Sequence, residues 1–269
     1  MLLTAQISSK PLGNNIVDID QQKTLVFATS YMRGAQSWQD RYEPWFQYYR
    51  RSALGHMPLV LIDDGSPFVP SHNQVDVHIA QSQFNPKPGR LSVIRFTDNL
   101  GRSSLASYPG WWRSFLYAAT VAKQTGYDKI IHIESDAYVL SDRLYSYLAN
   151  IREGWTTFWL PTYKMPETAI QVICKDQYDT MLEIRKHPKL NLELAEKFLP
   201  FTHIDKSMKG DRYSEFKRNR WIFRSKKFDR FPPFKTDFFF APIPQDADFA
   251  TQVVQRQLRE SRFRNAHHT

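Results

Sequence analysis

Short apolar runs alternate with segments of helical periodicity through the first half of the chain, the pattern of an α/β unit built on a largely parallel sheet. Thr24 to Ala28 predicts the first strand, and the aromatic-rich segment Trp38 to Ala53 predicts a helix. Gly55 and Pro58 punctuate its end before a second strand, Leu59 to Ile62. Val75 to Ile79 and Leu91 to Phe96 read as further strands, separated by a loop holding Pro86, Pro88 and Gly89. Trp111 to Gln124 places Phe115, Ala118, Ala119 and Ala122 on one helical face, and Gly126 is its expected C-cap. Lys129 to Ile133 reads as a central strand and Asp142 to Ile151 as a short helix. Strands near Thr157 to Leu160 and Ala169 to Cys174, then helices near Asp176 to Lys186 and Leu192 to Phe198, complete the middle. Phe238 to Ala241 is a candidate strand, and Phe249 to Arg262 reads as a C-terminal helix whose late arginines complement its dipole. No repeat, low-complexity tract or linker interrupts the chain, so one compact domain is expected.

The 269 residues are 42% hydrophobic and 23% charged, enough for a sizeable core without covalent staples. The single cysteine, Cys174, excludes a disulfide scaffold or a cysteine-based zinc site and favours a reducing compartment. Apolar runs such as Leu59 to Ile62 and Phe238 to Ile243 fall far short of the roughly 20 residues a membrane-spanning helix needs. Met1 to Asn15 lacks a basic leader followed by a sustained apolar stretch, so a cytoplasmic protein is expected. The formal charge is +9, and most of it lies in Lys206 to Lys235, where eleven Lys or Arg face only Asp211, Glu215 and Asp229. Aromatic residues including Tyr213, Phe216, Trp221 and Phe228 interleave with them. That mixture suits nucleic acid, an anionic membrane surface or a phosphorylated substrate, and equally a solvated basic face over core aromatics.

The most informative segment is Lys129 to Asp136, an apolar strand ending in Glu134-Ser135-Asp136. Ligands of open α/β sheets bind at the carboxyl ends of strands. If the strand conformation persists, alternation points both carboxylates to one side, where together they hold a divalent cation that stabilises a leaving diphosphate. The plainer alternative is two carboxylates capping the next turn. The second strand also ends in carboxylates, Asp63-Asp64-Gly65-Ser66, which suit a base N–H or ribose hydroxyls or simply form an Asp-Gly turn. The first ends in Thr29, Ser30 and Tyr31, two hydroxyls and a ring able to stack on a base. Asp98-Asn99-Leu100-Gly101-Arg102 is a polar loop, and Gly110-Trp111-Trp112-Arg113 opens a helix whose N-terminus and Arg113 are suited to a diphosphate.

In order and spacing, Thr29-Ser30-Tyr31, Asp63 to Ser66, Asn99-Leu100-Gly101, Arg113 and Glu134-Ser135-Asp136 resemble the nucleotide-binding half of GT-A glycosyltransferases, particularly the family 2 type. The resemblance runs from about Thr24 to Leu140 and implies a Rossmann-like, mostly parallel mixed sheet flanked by helices. It implies a nucleotide-sugar donor bound in residues 20–140, with the base near Tyr31 and held by Thr29 and Asp63 or Asp64, and an acceptor, a glycan or lipid-linked saccharide, in residues 141–269. The family's Asp-x-Asp motif maps onto Glu134-Ser135-Asp136, which implies Asp136 as direct ligand of Mn²⁺ or Mg²⁺ and Glu134 near ribose or metal waters. Glu in the first position departs from the family's pattern.

Inverting transfer needs a general base near the acceptor hydroxyl. In similar enzymes it lies several tens of residues past the metal motif, where this chain has Asp211 and Glu215, with Asp229 and Glu167 as fallbacks; pairing of Asp211 and Glu215 with Arg212, Lys217 and Arg218 is the structural alternative. Pro166 to Gln171 either lines the sugar or acceptor site or is an ordinary strand entry. Some similar enzymes complete the metal shell with a late histidine, and His203, His267 and His268 are available without any one being assigned. The basic stretch is expected to meet an anionic acceptor or the inner membrane surface, with no nucleic acid partner. The competing class is a metal-dependent nuclease using residues 206–235, which leaves Tyr31 and Asp63 to Ser66 without a role. A binding module of the same fold is a further alternative. The chain has no G-x-G-x-x-G, Walker A, H-E-x-x-H or G-x-S-x-G pattern, which disfavours dehydrogenases, P-loop NTPases, zincins and α/β-hydrolases.

Overall fold

A computed structural model describes residues 22–102, 107–187, 190, 194–213, 242–253 and 258. Strands β1 (Thr24–Ser30), β2 (Leu59–Asp63), β3 (Asp76–Ile79), β4 (Leu91–Arg95), β5 (Lys129–Ile133), β7 (Trp155–Leu160), β8 (Met165–Cys174) and β9 (His203–Asp205) form one sheet in the order β3-β4-β2-β1-β5-β8-β7-β9. All pairings are parallel except those that β8 makes with β5 and β7. This is the Rossmann-like, mostly parallel mixed sheet that the alternation of apolar runs and helical segments predicts. The chain runs from β1 to β2, on to β3 at the sheet edge and back to β4 between them, then returns to lay β5 on the other side of β1. That reversal leaves a crevice at the carboxyl ends of β1 and β5.

Both sheet faces are covered, which is why β1, β2 and β5 are buried along their whole length instead of alternating. After the short α1 (Ala35–Ser37), Val26, Ala28, Ile131 and Ile133 face the core formed with a π-helical turn (Trp38–Tyr42), α2 (Glu43–Arg50) and α4 (Asp142–Asn150). Leu25, Phe27 and Ile130 face α3 (Pro109–Thr125) and α5 (Tyr178–Ile184) on the other side. Pro109 sits at the first turn of α3, where its missing N–H has no cost, and Gly126 closes the helix in the left-handed conformation with its N–H on the Ala122 carbonyl, as its sequence position predicts. At α4, Ser141 caps the N-terminus by accepting from the Leu144 N–H at 3.2 Å. The buried Lys129 of β5 reaches the other end, where its Nζ donates to the carbonyls of Ala149 at 2.9 Å, Leu148 at 3.2 Å and Ile151 at 3.3 Å.

A helix α6 (Ala195–Phe198) precedes β9, and a small second sheet joins β6 (Tyr138–Val139), β10 (Gly210–Arg212) and β11 (Phe249–Thr251) in the order β10-β11-β6. The last strand corrects the reading of Phe249 to Arg262 as a helix. Phe249, Ala250 and Thr251 are buried and pair with β10, and the first two pair with β6 as well, so tertiary pairing overrides the local periodicity. The candidate strand Phe238 to Ala241 lies outside the described residues. Among the described residues, no helix is long and apolar enough to cross a membrane.

Asp248 anchors β11. Its carboxylate accepts from Ser141 Oγ at 2.6 Å, from the Lys209 N–H at 2.7 Å and from Arg143 through Nε at 3.1 Å and through Nη2. Burial acts to raise its pKa, but the Arg143 and Ser141 hydrogen bonds outweigh burial and hold it below the ordinary carboxylate value. Such a group contributes stability that is present above its unfolded pKa and is lost as pH falls through the lower native one. Asp248→Asn is therefore expected to cost about 2 kcal/mol at neutral pH and to flatten the loss of stability below about pH 4, read by urea unfolding across pH.

Candidate active site

The crevice at the β1–β5 reversal opens into a cleft of about 940 Å³. Thr29, Ser30 and Tyr31 enter it from the end of β1, Glu134 and Asp136 from the end of β5, and Gly110, Trp111 and Trp112 from the first turn of α3. The motif therefore lies where the sequence places it, but its two carboxylates do not act as a pair. β5 ends at Ile133, and the Ala137 N–H donates to the Glu134 carbonyl at 2.9 Å, closing a tight turn in place of the extended backbone that alternation requires. Glu134 and Asp136 consequently meet different partners.

Glu134 is held from three directions. Its Oε1 accepts from Thr29 Oγ1 at 2.8 Å and Trp111 Nε1 at 2.6 Å and lies 3.0 Å from His132 Nε2, while Oε2 lies 3.0 Å from Thr29 Oγ1. The fully buried His132 is itself fixed by the Thr168 carbonyl, 3.1 Å from Nδ1, and packs against the rings of Phe27 and Phe115. Trp111 stacks on Phe115 with centroids 4.8 Å apart. Burial would raise the Glu134 pKa, but the charge and hydrogen bond of His132, the indole N–H of Trp111 and the charge of Arg41 bring it below the ordinary value. Glu134 is thus an ionised, orienting carboxylate at the cleft floor.

Asp136 faces a cation instead. Arg41 donates from Nη2 to Asp136 Oδ2 at 2.9 Å and from Nε to Ser135 Oγ at 2.5 Å. Burial beside Glu134 and Glu167 raises the Asp136 pKa, and the Arg41 charge offsets only part of that rise. Arg41 stands on the π-helical turn, whose extra residue is anchored by the buried side chains of Trp38 and Tyr42. Tyr42 Oη in turn accepts from the Tyr31 N–H at 2.9 Å.

The metal shell that the resemblance implies can be tested against these donors. A hard divalent cation needs several oxygens with free lone pairs. Three donors converge on Glu134 Oε1, Oε2 has only a share of the Thr29 hydroxyl, and the Arg41 guanidinium lies against one Asp136 oxygen, so the two carboxylates are oriented by the protein's own donors and cation instead of toward a shared ion. Among the described residues, no group of three or more His, Cys, Asp or Glu could hold a metal ion. His203 pairs with Asp205 at 3.8 Å on β9 and is not among the cleft residues, and His267 and His268 lie outside the described residues. The arrangement does not fit a metal held by the motif.

The remaining predicted residues separate into cleft and scaffold. Tyr31 is 38% exposed at the cleft edge, as a stacking platform requires. Asp63, expected with Asp64 at the base or ribose or else in an Asp-Gly turn, is fully buried and is not among the cleft residues. Its oxygens accept from Ser30 Oγ at 2.9 Å, from the Ser66 N–H at 2.8 Å and from Ser66 Oγ, so it is the clamp of an Asp-Gly turn. Burial raises its pKa, with the Ser66 and Ser30 bonds opposing. Asp64 borders the cleft but is spent on the polar loop: it accepts from Gly101 N–H at 2.8 Å, Asn99 Nδ2 at 2.9 Å and Arg113 Nη2. Gly110 is required beside it, since a Cβ there would overlap the Asp64 carboxylate. Arg113, expected near a diphosphate, is turned toward carboxylates. It is committed to Asp64 and, at 2.8 and 2.9 Å, to Asp98, packs over Phe96, and does not reach the cleft.

Asp211, one of the two candidates for the base, lies on β10. Along β10 side chains alternate, so with Arg212 in the cleft Asp211 turns away and accepts from Thr162 Oγ1. Glu215, Asp229 and most of the basic stretch lie outside the described residues. Glu167 does reach the cleft, yet it is saturated by the Thr168 and Ala169 N–H groups at 2.8 and 2.9 Å, by Thr251 Oγ1 at 2.7 Å and by Arg212 at 3.1 Å. Three residues escaped the sequence reading. His132 had a signal, being the lone polar residue two positions before Glu134 and so on its face of the strand. Trp111 was noted only as part of a helix start, and Arg41 was hidden inside an aromatic helix whose π-turn no periodicity reveals.

No protein-family model matches the chain, and no curated protein matches it. Solved structures that it resembles include a glycosyltransferase involved in the glycosylation of the major capsid of PBCV-1, at 9% identity and a TM-score of 0.40 over 90% of this chain and 97% of that one. The apo-form glycosyltransferase GlyE of Streptococcus pneumoniae TIGR4 aligns at 11% identity and a TM-score of 0.44, over 89% of this chain and 56% of that one. A cytidylyltransferase from Leptospira borgpetersenii serovar Hardjo-bovis aligns at 11% identity and a TM-score of 0.36 over 68% of this chain and 75% of that one.

Trp111→Phe keeps the stack on Phe115 and removes one donor from Glu134. The expected outcome is a loss of about 1–2 kcal/mol in urea unfolding at neutral pH, because the carboxylate it leaves behind is charged and mostly buried.

Proposed function

We propose that the chain is a glycosyltransferase that moves a sugar from a nucleoside diphosphate donor to a glycan or lipid-linked saccharide. The observation that carries this reading is the meeting of Thr29, Tyr31, Glu134 and Asp136 in one cleft at the sheet's reversal, four of the positions at which the sequence resembles a GT-A donor site. The cleft volume is in the range of small-molecule sites, large enough for a nucleotide sugar. Tyr31 offers the ring for the base, and the oriented Glu134 carboxylate offers acceptor oxygens to ribose hydroxyls at the cleft floor. In the reaction the acceptor hydroxyl forms a bond to the anomeric carbon, the bond from that carbon to the diphosphate breaks, and a base takes the hydroxyl proton. Glu215 remains the assignment for that base, with inversion as the expected stereochemistry. Peripheral membrane contact through residues 206–235 and a cytoplasmic location belong to the same reading.

The test is a thermal-shift panel of UDP, GDP, CMP and dTDP on the whole chain. At about 100 times Kd, one of them is expected to stabilise the native state by about 2.7 kcal/mol, which for a chain of this size is roughly 5 °C or more in Tm. Glu134→Gln is expected to reduce that shift. Stabilisation by oligonucleotides and by none of the mononucleotides would replace this reading with a nucleic-acid one.

A further inference from the structure

A diphosphate needs positive charge opposite its oxygens, and in this cleft the motif carboxylates are not arranged to bring a metal ion there. Four arginines line the cleft: Arg33, Arg41, Arg102 and Arg212. Arg212 is neutralised by Glu167 and by Glu196, whose Oε1 it reaches at 2.7 Å. Arg102 packs its guanidinium over the Tyr108 ring, 4.5 Å from the centroid. Arg33 and Arg41 remain, and both are carried by the segment that leaves β1, directly beyond Tyr31.

The Arg41 side chain is 47% exposed even though two of its nitrogens are bonded. Nε is fixed by Ser135 and Nη2 by Asp136, so the guanidinium plane is set and the two hydrogens of Nη1 are left for a ligand. A guanidinium oriented in this way presents a planar fork to phosphate oxygens, with little entropy left to lose on binding. Asp136 then acts as a positioning residue that aims Arg41. Arg33 is exposed and has no ion pair among the described residues.

We infer that Arg41, with Arg33 lining the same cleft, is the cation that receives the donor diphosphate, so that the cleft binds nucleoside diphosphates without a divalent metal. This rests on the nucleotide-sugar reading above. It assigns to two residues of the chain the charge that the motif would otherwise deliver through Mn²⁺ or Mg²⁺.

Isothermal titration of the full chain with UDP, GDP, CDP and dTDP, each in chelator and again in Mn²⁺, tests it. The nucleotide that binds is expected to do so with the same affinity, within about twofold, in both buffers. Arg41→Ala is expected to weaken it about tenfold or more, with no rescue by Mn²⁺, and Arg41→Lys to fall between. Arg33→Ala, at an exposed position that leaves the packing untouched, is expected to weaken binding more modestly and to reduce its salt dependence. It provides the same reading if Arg41→Ala melts early. Binding lost in chelator and restored by Mn²⁺ would overturn the metal-free assignment and leave the nucleotide reading standing. So would unchanged affinity in both folded arginine variants. Binding of none of the four in either buffer would overturn both.

Discussion

The Glu134 carboxylate ties β1, β5 and α3 together at the one place where the sheet's winding direction reverses. A charge in that position is tolerated because Thr29, Trp111 and His132 surround it with donors, each supplied by a different stretch of chain. The rest of the cleft takes its shape from this point. Trp111 can reach Glu134 only if α3 begins close to the sheet, and α3 begins there because Gly110 has no side chain to push Asp64 away. Asp64 in turn gathers Gly101, Asn99 and Arg113, which fixes the polar loop on the far side of the opening. What looks in sequence like a row of ligand-binding carboxylates is in space a graded set. Those nearest the sheet hold the walls, and those at the turn after β5 line the cleft.

Much of the fold was legible because its rules are local. Strands buried on both faces have to be continuous apolar runs, so Thr24 to Ala28, Leu59 to Ile62 and Lys129 to Ile133 were visible, and Gly126 marked the end of α3. The failures have a common origin in long-range pairing. Phe249 to Thr251 has helical periodicity, yet β10 and β6 leave a gap in a ladder that only an extended segment can fill. The place of the site was legible for the same reason as the strands, since carboxylates at the ends of adjacent parallel strands converge on one crevice. The division of labour within it was not. Whether Asp63 meets a ribose or Ser66 depends on a turn three residues long, and whether Arg113 meets a diphosphate depends on Asp98 and Asp64 claiming it first.

The Glu134-Ser135-Asp136 triplet shows how much a motif leaves open. Its spacing implies cooperation only while the backbone stays extended, and here the strand stops one residue before it starts. The turn that follows gives Ser135 and Asp136 to the π-helical segment after β1, so the cleft's negative end is answered by an arginine from a neighbouring element. Two folds with the same triplet can therefore differ in whether the counter-charge is a dissolved ion or part of the chain.

The lysine at the start of β5 has a consequence for how the protein opens. Lys129 is sealed from water, and its ammonium hydrogens are consumed by the last carbonyls of α4. Separating the strand from the helix would strand a charge and several carbonyls in an apolar interior at once, so neither can fray while the other stays put. The strand that delivers the motif and the helix that follows it are thereby coupled, so that opening one opens the other.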